Sequence, residues 1–221
     1  MRKFKEPTSQ QAWEDRLGFS IPWKKVWKIR TFFATPRDQV PWLKLHHRNL
    51  YVAGHDPVDS SCRACSAVES QMHLCKCGVI RKEFWDPLIK VATETGMPAP
   101  HHTTAFLAVG LISADRVISK FHSGIFFLGW RSLYAAIIHS RVDNVALDLE
   151  EALKRTVSMV ISRLRAYALF WSKWVNASRY RKKPNRISQK HSNKKVITQK
   201  PNGTYAIHPK LWELASKLNL L

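Results

Sequence analysis

Gly124-Ile-Phe-Phe-Leu-Gly-Trp-Arg-Ser-Leu-Tyr-Ala-Ala-Ile-Ile138 is the most apolar stretch of the chain. It is fifteen residues long and carries Arg131 in its middle. A membrane-spanning helix needs about 20 consecutive apolar residues. The stretch therefore reads as a helix buried in a protein core, which must be covered by other helices. The rest of the chain supplies them.

Downstream, Asp143-Asn144 marks a turn, and a long helix is expected from about Leu147 to Ser178. Leu149, Leu153, Val157, Val160, Leu164, Tyr167 and Trp171 recur at spacings of three or four, which puts them on one face. Asp148, Glu150 and Glu151 come first and Lys173 and Arg179 last, in the order that complements the helix dipole. A short amphipathic helix, Pro209 to Leu220, ends the chain. Upstream, Ser113 and Asp115 suit a helix start, whereas residues 101–110 read as an irregular apolar passage. Val79 to Thr95 reads as a helix bent or restarted at Pro87, with Phe84, Trp85, Leu88 and Val91 inward. Thr35-Pro36-Arg37-Asp38 is a start signal: Thr35 caps, Pro36 suits the first helical position, and Asp38 bonds back to the cap. That helix should run through Trp42, Leu45, His46 and Asn49 and stop near Gly54. Ser20 and Pro22 suggest one more helix, carrying Trp23, Val26, Trp27 and Arg30. No run of strand-like alternation is present.

Residues 55–78 carry little regular pattern but hold the chemistry. All four cysteines of the 221-residue chain fall between Cys62 and Cys77. So tight a cluster cannot staple distant segments, and metal binding in a reducing compartment is the better reading. Cys62-Arg-Ala-Cys65 is followed by seven residues, His73, three residues and Cys77. Two cysteines two apart can curl round one ion, and a later His and Cys can complete a tetrahedron. Zn2+ suits such a sulfur and nitrogen set. Cys77 is preferred over Cys75 as the fourth ligand because it leaves more slack after His73; Cys75 and the more distant His55 stay open as alternatives. Four protein ligands leave no open position, so the ion would be structural.

Trp42-Leu-Lys-Leu45, His47-Arg-Asn-Leu50, Cys62-x2-Cys65, Glu69-Ser70, His73-Leu74, a Cys and Trp85 together resemble the zinc-binding region that follows the reverse transcriptase domain of non-LTR retrotransposons. The resemblance covers roughly Trp23 to Trp85. It implies Cys62, Cys65, His73 and Cys77 as metal ligands, Trp85 as a core residue, and engagement of RNA or target DNA. That family usually places four residues between the His and the last Cys; this chain has three before Cys77. No Asp-Asp pair for a polymerase centre and no Pro-Asp of a downstream nuclease occurs. With no Gly-rich phosphate loop either, an enzyme is not expected.

Charge points to the partner. Lys and Arg number 36 against 16 Asp and Glu, a net charge of +20, and a polyanion is the usual counterpart of such an excess. Hydrophobic residues at 45%, with 9 Trp and 10 Phe, exclude a disordered chain. Residues 1–170 hold 24 basic and 15 acidic residues, whereas residues 171–221 hold 12 bases and only Glu213. Arg179, Arg181, Lys182, Lys183, Arg186, Lys190, Lys194 and Lys195 read as a flexible nucleic-acid-binding arm, with 179–208 largely disordered without a partner. The same run suits nuclear import. Two other features have bland explanations. His101-His102 reads as a solvated loop pair. The tryptophans Trp13, Trp23, Trp27 and Trp42 can stack on bases but at helical spacing read first as core.

The chain thus reads as mostly α: a helical domain with one small knuckle-like structural zinc site and a basic C-terminal arm. Its regions are 1–95 (zinc-binding), 101–178 (helical core) and 179–221 (arm and terminal helix). The expected function is zinc-stabilised RNA or DNA binding without polymerase activity, beside a reverse transcriptase or ribonucleoprotein. The alternative is a structural RNA-binding subunit of a ribonucleoprotein such as an organellar ribosome. No membrane association is expected. The setting is read as intracellular, the nucleus before the mitochondrion.

Overall fold

A computed structural model describes residues 8–29, 31, 33–47, 50, 52, 59–179, 197–199 and 205–220. Helix α3, Pro36–His46, begins as its sequence predicts. The Thr35 amide and hydroxyl both donate to Asp38 Oδ2 at 2.7 Å, closing a capping box. Asp38 also pairs with Arg131 of α8, His122–Val142, and lies 3.9 Å from Arg163 of α9, Leu149–Arg179. Burial alone would raise the Asp38 carboxyl. The Thr35 amide and hydroxyl and the Arg131 guanidinium outweigh it and hold the carboxyl below its usual range. One start signal therefore also fixes where α3 meets the two longest helices.

Helix α8 is the centre of the molecule, packed between α3, α9 and α6, Asp86–Glu94. It is buried on nearly all sides, which is why it shows no single apolar stripe. Trp42 of α3 meets Phe127 at 5.0 Å, and Trp85 meets Trp130 at 5.3 Å, ring centre to ring centre. Two glycines let partners in: a Cβ on Gly129 would meet the Trp85 ring at 2.8 Å, and one on Gly124 the Phe33 ring at 2.3 Å. One core runs from Trp13 to Ala215 and takes in both helical regions. No described helix is long and apolar enough to cross a membrane.

Several local expectations are corrected. The helix expected after Ser20 is a single turn, α2, Trp23–Val26, preceded directly by Pro22 rather than capped by Ser20. Helix α3 ends at His46, short of Gly54. A further helix, α1, Thr8–Leu17, which the sequence reading did not propose, drives Trp13 into the core. The passage read as irregular is α7, Thr103–Val109, capped by His102 Nδ1 accepting from the Ala105 amide at 3.2 Å and closed by Gly110 at φ 72°. Ala105 to Val109 are all buried, so no polar residue marks a face. Ser113 and Asp115 start no helix: β1, Leu111–Ser113, turns back on β2, Arg116–Val117.

The segment Val79–Thr95 is helical and restarts at Pro87, one of the two expected forms, while the irregular turn lies just before the proline. Helix α5, Gly78–Ile80, passes through a π-helical turn, Arg81–Trp85, into α6, with Pro87 in the first turn of α6. Proline has no N–H for the carbonyl one turn back, and a wide turn accommodates the loss. Within the stretch expected to be largely disordered, β3, Ile197–Gln199, pairs antiparallel with β4, Tyr205–Ile207. Helix α10, Pro209–Lys217, then buries Leu211 and Ala215 against the body.

Candidate metal centre

The cysteine segment is built from two short pieces. Ser61 bridges Val68, and between them the chain makes a tight turn: the Cys65 and Ser66 amides both donate to the Cys62 carbonyl, at 3.3 and 2.8 Å. Ser66 takes φ 63°, which lets the chain reverse after Cys65. The second piece is α4, Gln71–Lys76, which the sequence did not signal because its apolar residues are too few to show a period. Ser70 caps it, accepting from the His73 amide at 3.0 Å. Gln71 anchors it by donating to the Leu50 carbonyl at 3.0 Å.

Helix geometry brings Cys77, not Cys75, beside His73. His73 and Cys77 are four residues apart, and the Cys77 amide bonds the His73 carbonyl at 2.6 Å, so the two side chains share a face. Cys75 lies two residues from His73 and points the other way, into the apolar core at 1% exposure. Burial pushes its thiol well above the usual range. The ligand atoms of Cys62, Cys65, His73 and Cys77 all lie within 4.8 Å of one another, a group that can hold one metal ion. Cys65 Sγ and His73 Nε2 stand 3.3 Å apart. The spacing one residue shorter than in the retroelement pattern is thus compatible with convergence.

Amide groups are aimed at the sulfurs. Burial pushes the Cys62 thiol up to about 12, opposed by the amides of Ala64 and Cys65. The Ala67 amide leads in lowering Cys65. Burial raises Cys77, opposed by the amides of Ile80 and Val79. A metal must displace these protons, and donors already directed at the sulfurs stabilise the thiolates it needs.

The group is tied to the body by a residue that sequence reading passed over. Arg141, near the end of α8, donates through Nη2 to the Ser61 carbonyl at 2.8 Å and to Glu69 Oε2 at 3.1 Å. Glu69 is 1% exposed and the Arg141 side chain 10%. One guanidinium thus grips both flanks of the Cys62–Cys65 turn. Nearby, Arg63 pairs with Asp59 at 3.1 Å and donates to Asn144 at 3.2 Å. Trp85 is a core residue, 1% exposed.

The other expected site residues lie at or beyond the edge of what is described. Arg179 ends α9, and its side chain is outside the description. Arg181, Lys182, Lys183, Arg186, Lys190, Lys194 and Lys195 lie outside the described residues, as does His55. Compared with family models, curated proteins and solved structures, the chain matches none.

Proposed function

We infer that the chain is a zinc-stabilised nucleic-acid-binding protein with no polymerase activity of its own, similar in role to the zinc-binding region that follows a non-LTR retrotransposon reverse transcriptase. The observation that carries this reading is the meeting of three cysteines and one histidine within 4.8 Å, in a chain of net charge +20. Three sulfurs and one imidazole nitrogen suit Zn2+, and a set closed by protein serves structure rather than catalysis. The ion would lock the turn at Cys62–Cys65 to the end of α4, and so to the start of α5. The basic run from Arg179 to Lys195 is the proposed phosphate contact. Flexible polycations bind by counterion release and do not read sequence.

Metal analysis of the purified full-length protein tests the first half. One zinc per chain is expected, retained in Cys75→Ser and lost in Cys77→Ser; retention by Cys77→Ser would overturn the ligand set. A salt titration of RNA and DNA binding tests the second half. Affinity should fall steeply with salt, with a log–log slope of about −0.9 per phosphate contact on duplex DNA, and a full-length chain with Arg181, Lys182, Lys183, Lys190, Lys194 and Lys195 replaced by Gln should lose most of it. Unchanged tight binding by that variant would remove the arm from the account.

A further inference from the structure

The tryptophans of the N-terminal region divide into two pairs. Trp13 and Trp42 are 0% and 2% exposed and belong to the core. Trp23 and Trp27 are half-buried, one helical turn apart on α2 and the turn that follows it. Their rings stack, with centres 5.6 Å apart and planes 26° apart. Trp27 also stacks on the exposed His47 ring, at 5.5 Å and 19°.

This run of near-parallel rings is fixed from below. Both indoles meet the buried His46 ring edge-on, at 5.8 and 5.3 Å. Trp23 Nε1 donates to Glu14 Oε1 at 3.1 Å, and the same oxygen accepts the Ile21 amide at 2.7 Å. The rings are therefore oriented before any ligand arrives, which lowers the entropy cost of binding. The exposed residues about them in sequence are basic: Lys24, Lys25 and Lys28 alternate with the two indoles, and Lys44 stands one turn before His47 on α3.

We propose that Trp23, Trp27 and His47, with Lys24, Lys28 and Lys44, form a stacking platform for the unpaired bases of a single-stranded nucleic acid. Every base offers a π-face to an aromatic ring, and lysines beside the ring meet the phosphates. A duplex keeps its base faces covered, so the platform favours single strands, whereas the basic arm meets the phosphates of either and favours the more densely charged duplex. The proposal deepens the nucleic-acid reading above and rests on it.

The test uses the full-length chain and three labelled probes of twelve residues: oligo(dT), oligo(U) and a mixed-sequence DNA duplex. At matched salt a single strand should bind more tightly than the duplex, and whichever single strand binds more tightly identifies the preferred sugar. Trp27→Ala should weaken single-strand binding about tenfold with little change for the duplex. His47 is exposed, so His47→Ala should fold normally; it should weaken single-strand binding severalfold, and His47→Trp should restore it. Bromouridine placed in the single strand should cross-link to peptides containing Trp23, Trp27 or His47. Duplex binding with no single-strand preference, unaffected by all three variants and cross-linked elsewhere, would overturn the platform and leave the arm intact. Failure of every probe to bind would overturn both readings.

Discussion

Residues 59–77 and the α8–α9 pair hold their shape by different means. Helices α8 and α9 lie side by side and bury apolar residues along their length, among them Phe127, Leu133, Val157 and Leu164. Each such side chain contributes about 1.5–3 kcal/mol, and no single one is decisive. The cysteine segment places Cys65, Ser66, Ala67 and Val68 in solvent. It relies on a few directed contacts: the Ser61–Val68 bridge, the Arg141–Glu69 pair and the four ligand groups. Packing distributes stability and tolerates loss. A turn held mainly by such directed links tolerates it less, and that is the setting in which a structural ion contributes most.

On the proposed zinc reading, removing the ion should separate the two regions most sharply: an ion at a thousand times its Kd stabilises a folded state by about 4 kcal/mol. Chelation should forfeit this in the cysteine segment, with amide exchange at Cys65, Ser66 and Cys77 accelerating, while exchange in the middle of α8 barely changes. Equal acceleration in α8 would mean that the ion holds the whole body.

Arg141→Met should cost about 3 kcal/mol, because it removes the guanidinium that pairs with the buried Glu69 carboxylate and holds the Ser61 carbonyl. Denaturant unfolding reads that loss, and a competition titration should show about tenfold weaker metal binding. Adding Glu69→Gln should recover part of the stability, since no buried charge then remains to be compensated.

A smaller effect tests the packed body through His46. Its Nε2 donates to the Ala108 carbonyl at 2.8 Å, and burial holds the imidazole down from 6.5 to about 3. The folded chain keeps this ring neutral, whereas the unfolded chain protonates it near pH 6.5. Its contribution is therefore full above that pH and is lost as pH falls from 6.5 toward 3. From the high-pH plateau down to pH 5 the loss should be about 2 kcal/mol, at 1.36 kcal/mol per unit. With chelator present throughout, His46→Gln should flatten this part of the stability profile; an unchanged slope would assign it to other groups.

The parts legible in sequence were those with a local cause. Thr35 and Asp38 make their cap within one turn, so the start of α3 needed nothing distant. The apolar face of α9 repeats over enough turns to be counted. The ligand types and spacings at Cys62, Cys65, His73 and Cys77 marked the group that the fold brings together and that can hold a metal ion. Helix α7 was missed because burial on every side erases the period that betrays a helix. The β1–β2 hairpin was missed because Asp115, a good helix-start residue, serves equally well in a tight turn. The preference for Cys77 over Cys75 rested on chain slack, whereas the physical reason is that four residues of helix return to one face and two do not.

Local chemistry thus dictated the helical class of this chain, its long helices and the identity of its metal-ligand candidates, because caps, periodicity and ligand spacing act over a few residues. Long-range packing decided that Arg141 would reach Glu69, 72 positions away. It also sent Trp13 and Trp42 to the core and left Trp23 and Trp27 half-exposed. Those outcomes depend on which helices meet, and that is fixed only when the whole core closes round α8.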